Sequence, residues 1–173
     1  MKFDNLSKGI IHYQRSIVIM LCLSLLGVGS LSVAAMVNHM DIPTLIVSWS
    51  AKQVSVNQLQ KGQLKPVILI DVRSPEEYTE DHIGESQLVP LDDIKAGFGI
   101  KEIRTIIKTK PQNPTQPTLV LYCGSGQRSV KAYKQLENTG LNFVVLKGGI
   151  KAWRKVVPRS KDAEVLAPIM LLR

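Results

Sequence analysis

The stretch Thr118-Leu119-Val120-Leu121-Tyr122-Cys123-Gly124-Ser125-Gly126-Gln127-Arg128 decides the fold. Its first five residues are an apolar run of strand length, the pattern of a strand covered on both faces in a parallel sheet. The glycine-containing loop then opens a helix expected from Ser129 to about Asn138 and stopped by Gly140. A cysteine at the carboxyl end of a buried strand stands where open α/β sheets place ligands. In such a loop the backbone N–H groups converge on one point and the helix amino terminus adds positive potential, so a bound anion is stabilised. Gly124 and Gly126 are expected to allow the tight turn. The same field favours the thiolate of Cys123, the nucleophilic form. Arg128 is expected to wall the pocket with a permanent cation. The competing reading is a buried structural cysteine in an ordinary strand-to-helix turn. Glycines on both sides of Ser125, with an arginine at the helix start, favour function.

Working outward, the flanking segments repeat the alternation of strand and helix. Val54-Ser55-Val56 reads as a short strand and Asn57 to Gln60 as a helical turn. Pro66 to Asp71 is a second apolar run. Ser74-Pro75-Glu76-Glu77 combines an N-cap, a proline at the first helical position and first-turn carboxylates, so a helix is expected to about Asp81. Ser86 to Val89 is a further strand. Leu91 to Ile94 and Lys101 to Lys108 read as helices separated by Gly97 and Gly99, and Lys110 to Thr118 as a proline-rich loop. Asn142 to Leu146 is the last strand, Gly148-Gly149 a turn, and Ile150 to Val157 the last helix before Pro158. Strands alternating with helices predict an α/β layered fold with a mostly parallel central sheet flanked by helices. The tail, 159–173, has an apolar end that either packs on the domain or touches a membrane.

Ahead of the domain, 16–37 is a run of 22 residues without a charge, and as a helix it spans roughly 33 Å. Lys2, Lys8 and Arg15 precede it, so 1–15 is expected in the cytoplasm, 16–37 across the membrane, 38–52 as a connector and 53–158 as the domain on the extracytoplasmic side. A cleavable signal peptide is the competing reading, with Val33-Ala34-Ala35 as its cleavage site. The apolar run exceeds the about 7–15 residues usual for a signal core, which favours a single-pass anchor.

Net charge is +8 but uneven: +1 over residues 1–51, −3 over 52–100 and +10 over 101–173. A basic half suits a nucleic acid, an anionic surface, a small anion or simply water. Few aromatics lie among those lysines to stack on bases, so no nucleic acid is expected. Two cysteines, Cys22 and Cys123, argue against a disulfide framework. His12, His39 and His82 lie too far apart in sequence to form a metal cluster with Cys123.

The loop Cys123-Gly124-Ser125-Gly126-Gln127-Arg128 resembles the rhodanese active-site loop, C-x-x-G-x-R, and three further segments extend the resemblance in the family's order. Asp71 to Tyr78 is similar to D-V-R-x-x-x-E-[YF], His82 to Leu91 to G-H-I-x-G-[AS]-x-x-[IV]-P-L, and Leu146 to Trp153 to L-x-G-G-[IFM]-x-x-W. Asp81 stands where the family has a glycine before the histidine, and the next glycine has moved forward to Gly84. The resemblance implies a rhodanese-like fold and a sulfurtransferase. Cys123 would take a sulfane sulfur from a small anion such as thiosulfate, or from a persulfide, and pass it to a thiol or cyanide. Gly124, Ser125, Gly126, Gln127 and Arg128 would bind the substrate, and no metal or organic cofactor is implied. Rhodaneses specialised for thiosulfate tend to carry basic residues just after the cysteine, where this chain has Gly124 and Ser125. Asp71 and Arg73 suit a structural ion pair better than catalysis, and Trp153 suits the core. Two rivals use the same shell: a non-catalytic tethered binding module, and a phosphatase or arsenate reductase. The second needs five residues between cysteine and arginine, whereas four intervene here and the smaller pocket suits one sulfur.

Overall fold

The computed structural model describes residues 50–64, 66–110 and 116–170. The expected cytoplasmic tail, the membrane span 16–37 and the connector as far as residue 49 lie outside the described residues. Among those described, no helix is long and apolar enough to cross a membrane.

Strands β1 (Gln53–Val54), β2 (Val67–Asp71), β3 (Gln87–Leu88), β4 (Thr118–Tyr122) and β5 (Phe143–Leu146) make one parallel sheet in the order β1-β5-β4-β2-β3. β4 is therefore central. It pairs with β2 from Val67 opposite Thr118 to Asp71 opposite Tyr122, and with β5 from Leu119 opposite Phe143 to Leu121 opposite Val145. Because successive side chains point to opposite faces, the unbroken apolar runs supply two cores at once. Ile68, Ile70, Leu119, Leu121, Phe143 and Val145 meet helices α3 (Leu91–Lys95), α4 (Gly99–Thr109) and α5 (Gln127–Leu136) on one face. Val67, Leu69, Val120, Tyr122, Val144 and Leu146 meet α1 (Val56–Gln60), α6 (Gly149–Arg154) and α7 (Asp162–Leu166) on the other. Helix α2 (Pro75–Glu80) follows β2 and buries none of its residues.

Two local expectations change, and the choice left open for the tail is decided as far as residue 170. The strand expected across Val54-Ser55-Val56 ends at Val54, because Ser55 caps α1: its hydroxyl accepts from Gln58 N–H at 3.3 Å, while Gln58 Oε1 accepts from Ser55 N–H at 3.0 Å. That reciprocal box outweighs the strand preference of two valines. Gly99 opens α4 instead of separating two helices. Beyond Pro158 the tail packs on the domain as far as Met170: Leu166 and Ile169 are buried, and Val67 N–H donates to Ile169 C=O at 2.9 Å.

Candidate functional site

The carboxyl end of β4 is anchored before the loop begins. Tyr122 is fully buried; its hydroxyl accepts from Ile83 N–H at 3.1 Å and shares a hydrogen bond with Ser86 Oγ at 2.7 Å. Burial, followed by the nearby Asp71 charge, pushes its phenol well above the ordinary tyrosine range. One strand over, Arg73 Nη2 donates to Asp71 Oδ2 at 2.6 Å and also to the carbonyl of Asp81. Burial by itself would lower the Arg73 pKa, but the Asp71 carboxylate raises it. Both side chains are almost sealed from water. This is the structural pair expected from sequence: it ties the end of α2 to β2.

Cys123 follows β4 at the point where the chain turns towards α5 on one face of the sheet, while β5 beside it feeds α6 on the other. Such a switch point leaves a crevice at the strand ends. The cysteine is only 1% exposed. Its Sγ accepts from Gly126 N–H at 3.2 Å, and the fully buried Ser129 Oγ lies 3.8 Å away while bonded to Gly126 C=O at 2.9 Å. Gly126 has φ +110°, a conformation that costs a side-chain-bearing residue strain, and it aims its N–H at the sulfur. Gln127, Arg128 and Ser129 then supply the first turn of α5, whose N–H groups have no partner within the helix.

The loop is clamped from behind by α6. Ile150 N–H donates to Cys123 C=O at 2.8 Å and Lys151 N–H to Gly124 C=O at 3.1 Å. Gly149 makes that approach possible: a Cβ there would stand 2.1 Å from the Cys123 carbonyl oxygen. In front, Arg128 bends over the loop. Its Nη2 would lie 3.6 Å from a Cβ at Gly124, and its guanidinium is held by Glu77, with Nη1 to Oε2 at 2.5 Å and Nη2 to Oε1 at 2.7 Å. Hydrogen bonding to Arg128 brings the Glu77 carboxyl down to about 2. The same pair raises the Arg128 pKa, and the Cys123 sulfur adds to the rise.

The structure brings together every candidate from Cys123 to Arg128, in unequal roles. Cys123 and Gly126 are buried, Gly124, Gln127 and Arg128 half-buried, and Ser125 exposed. Gly124 lies outside the left-handed region, so the turn rests on Gly126 alone. Arg128 lies beside the loop as half of an ion pair with Glu77. Glu77, Ser129 and Gly149 join the site although none was a candidate. In the sequence Glu77 reads as a first-turn carboxylate and as the glutamate of the D-V-R-x-x-x-E-[YF] resemblance, Ser129 as a helix start and Gly149 as a turn; Glu77 also forms a capping box with Ser74.

A second polar cluster lies apart from the loop. Arg154 on α6 donates to Asp81, to Asp162 and to the carbonyl oxygens of His82 and Val157. Burial opposes its charge, yet Asp162 and Asp81 raise its pKa. Trp153 Nε1 donates to Asp162 Oδ1 at 2.8 Å, and Arg159 also meets Asp81. Asp81 and Asp162 line an open cleft of about 400 Å³ whose other walls include Thr79, Glu80, His82 and Arg159, but no residue of the cysteine loop. Some basic residues of the carboxyl-terminal half are held in such pairs, with Lys134 on Glu137 and Lys161 on Glu164 as further examples.

Parts of the chain are similar to known proteins. The chain is 37% identical over 92 residues to a probable adenylyltransferase/sulfurtransferase, MoeZ, of Mycobacterium tuberculosis, a match that takes in 53% of this chain but only 21%, about a fifth, of that relative. It is 32% identical over 82 residues to the thiosulfate sulfurtransferase PspE of Escherichia coli, covering 47% of this chain and 69% of PspE. A rhodanese-like domain protein from Staphylococcus aureus superposes with a TM-score of 0.44 at 29% identity, covering 59% of this chain and 90% of the other. The family model for the rhodanese-like domain matches residues 52–156, from the residue before β1 to just beyond α6. Since that match takes in well over half of the chain, with the cysteine loop inside it, the chain belongs to the rhodanese-like domain family.

Proposed function

We propose that this domain is a sulfurtransferase in which Cys123 carries the transferred sulfur as a persulfide. Family membership and relatives named as sulfurtransferases support the reaction class. The observation that carries the role of Cys123 is its buried Sγ, which receives the Gly126 N–H at the switch point of the sheet. In the first half-reaction the Cys123 thiolate attacks the outer sulfur of a donor, the donor's S–S bond breaks, and its electron pair leaves on sulfite or a thiolate. In the second, a thiol or cyanide attacks the outer sulfur of the Cys123 persulfide and the thiolate is regenerated. The Gly126 N–H on Sγ, with the first-turn N–H groups of α5 that have no partner within the helix, stabilises the negative charge that moves between the sulfurs. Every step exchanges one sulfur between two nucleophiles, so no metal or organic cofactor enters.

The test is intact mass of the full chain in detergent after exposure to a sulfane donor. A gain of one sulfur atom, lost again on adding cyanide with release of thiocyanate and absent in Cys123→Ser, is the expected result. Failure of every donor to add sulfur refutes it and leaves the binding module. The charge-free run 16–37 is proposed as an uncleaved anchor that holds the domain on the extracytoplasmic face. Protease added from outside should digest the domain, whereas digestion only from the cytoplasmic side refutes that orientation.

A further inference from the structure

Resting on the reading of Cys123 as the sulfur carrier, we propose that Glu77 sets the class of donor: by neutralising Arg128 it disfavours dianionic donors such as thiosulfate and leaves the site to alkyl persulfides. The loop from Cys123 to Arg128 carries one cationic side chain, Arg128. That cation is already engaged by both oxygens of Glu77, at 2.5 and 2.7 Å. Gly124 and Ser125 add no charge.

The charge balance of the two candidate reactions differs sharply. Thiosulfate brings two negative charges to the Cys123 thiolate. The outer sulfur transfers, the S–S bond breaks, and sulfite leaves with the electron pair, so three negative charges gather at Sγ beside the fourth on Glu77. A persulfide protonated on its outer sulfur brings none. The thiolate attacks that sulfur, the proton stays on it, and a thiolate leaves, so the total at Sγ remains one. Backbone N–H dipoles and a single paired arginine suffice for the second reaction and leave the first short of positive charge. Glu77 reaches Arg128 from the first turn of α2, where it also accepts from Ser74 N–H at 3.4 Å. Glutamine fills a capping box equally well. Glu77→Gln therefore removes the charge and keeps the cap.

The experiment compares kcat/KM for loading the full chain from thiosulfate and from 2-hydroxyethyl persulfide, before and after Glu77→Gln. The ratio of thiosulfate to persulfide should rise about tenfold or more when Arg128 is unmasked. Ser125→Lys, which adds a cation at an exposed loop position without touching the pair, should move the ratio the same way and serves if Glu77→Gln does not fold. A ratio that stays constant or falls, while both donors still load Cys123, overturns the proposal and leaves the sulfur-carrier reading standing. No loading of the unsubstituted chain by either donor overturns both.

Discussion

The cysteine loop and the Arg154 cluster are both dense in polar groups, yet only one of them holds a nucleophile. Arg154 spends its guanidinium on Asp81, Asp162 and two carbonyl oxygens, while Trp153 and Gly84 N–H complete the Asp162 carboxylate. Every strong group there meets another protein group, so the cluster joins α6, α7 and the turn after α2 as a structural knot. At the loop, the carbonyl oxygens of Cys123 and Gly124 are taken by α6 and the Arg128 charge by Glu77. What is left there is a buried sulfur that accepts from Gly126 N–H, beside the first-turn N–H groups of α5. Charge density alone is a poor guide to a site; a held nucleophile beside donors without a partner in the helix is a better one.

The comparison breaks most severely at Gly149. Gly149→Ala drives a Cβ into the Cys123 carbonyl at a φ of +58°, so about 3 kcal/mol of stability and nearly all sulfur loading should be lost, as read by thermal melting and intact mass. Gly124→Ala, with only the Arg128 end 3.6 Å away, should retain the fold and is the control. A smaller loss is expected from Arg154→Met. It takes the Arg154 charge from Asp81 and Asp162, whose side chains are 22% and 8% exposed, leaves them to Arg159 and to the Trp153 and Gly84 N–H groups, and should cost about 2 kcal/mol in denaturant unfolding. The surviving folded fraction should still load sulfur, because the loop does not touch Arg154; loss of loading in folded protein would show that the knot also shapes the site.

The smallest effect is in acid. The folded-state pKa of Glu77 is depressed to about 2 by Arg128. Its contribution to stability is therefore fully present above the ordinary glutamate range and is lost as pH falls towards about 2. The pair is more than a third exposed, so water screens it and the loss is modest. Unfolding of the Glu77→Gln protein should be less steeply destabilised between about pH 4.5 and 2 than that of the unsubstituted chain; equal slopes would mean that the pair contributes nothing to folding.

Local chemistry made much of this legible in the residue order. Apolar runs at 67–71, 118–122 and 143–146 announce strands covered on both faces, and Ser74-Pro75-Glu76-Glu77 announces a helix start; both are decided by near neighbours. The cysteine loop is equally visible, because a buried strand, a cysteine and a glycine turn are consecutive. What the order of residues left open were contacts between segments far apart in the chain. Glu77 and Arg128 are 51 positions apart, and the strand order β1-β5-β4-β2-β3 brings together the elements that carry them. Gly149 looks like a turn until α6 is seen lying against the Cys123 carbonyl. Sequence by itself determined which residue is the candidate sulfur carrier and which way the chain turns there, since these depend on adjacent dihedrals and side chains. Only the tertiary structure decided how much free charge surrounds that sulfur, because the ion pair that masks Arg128 forms across the fold.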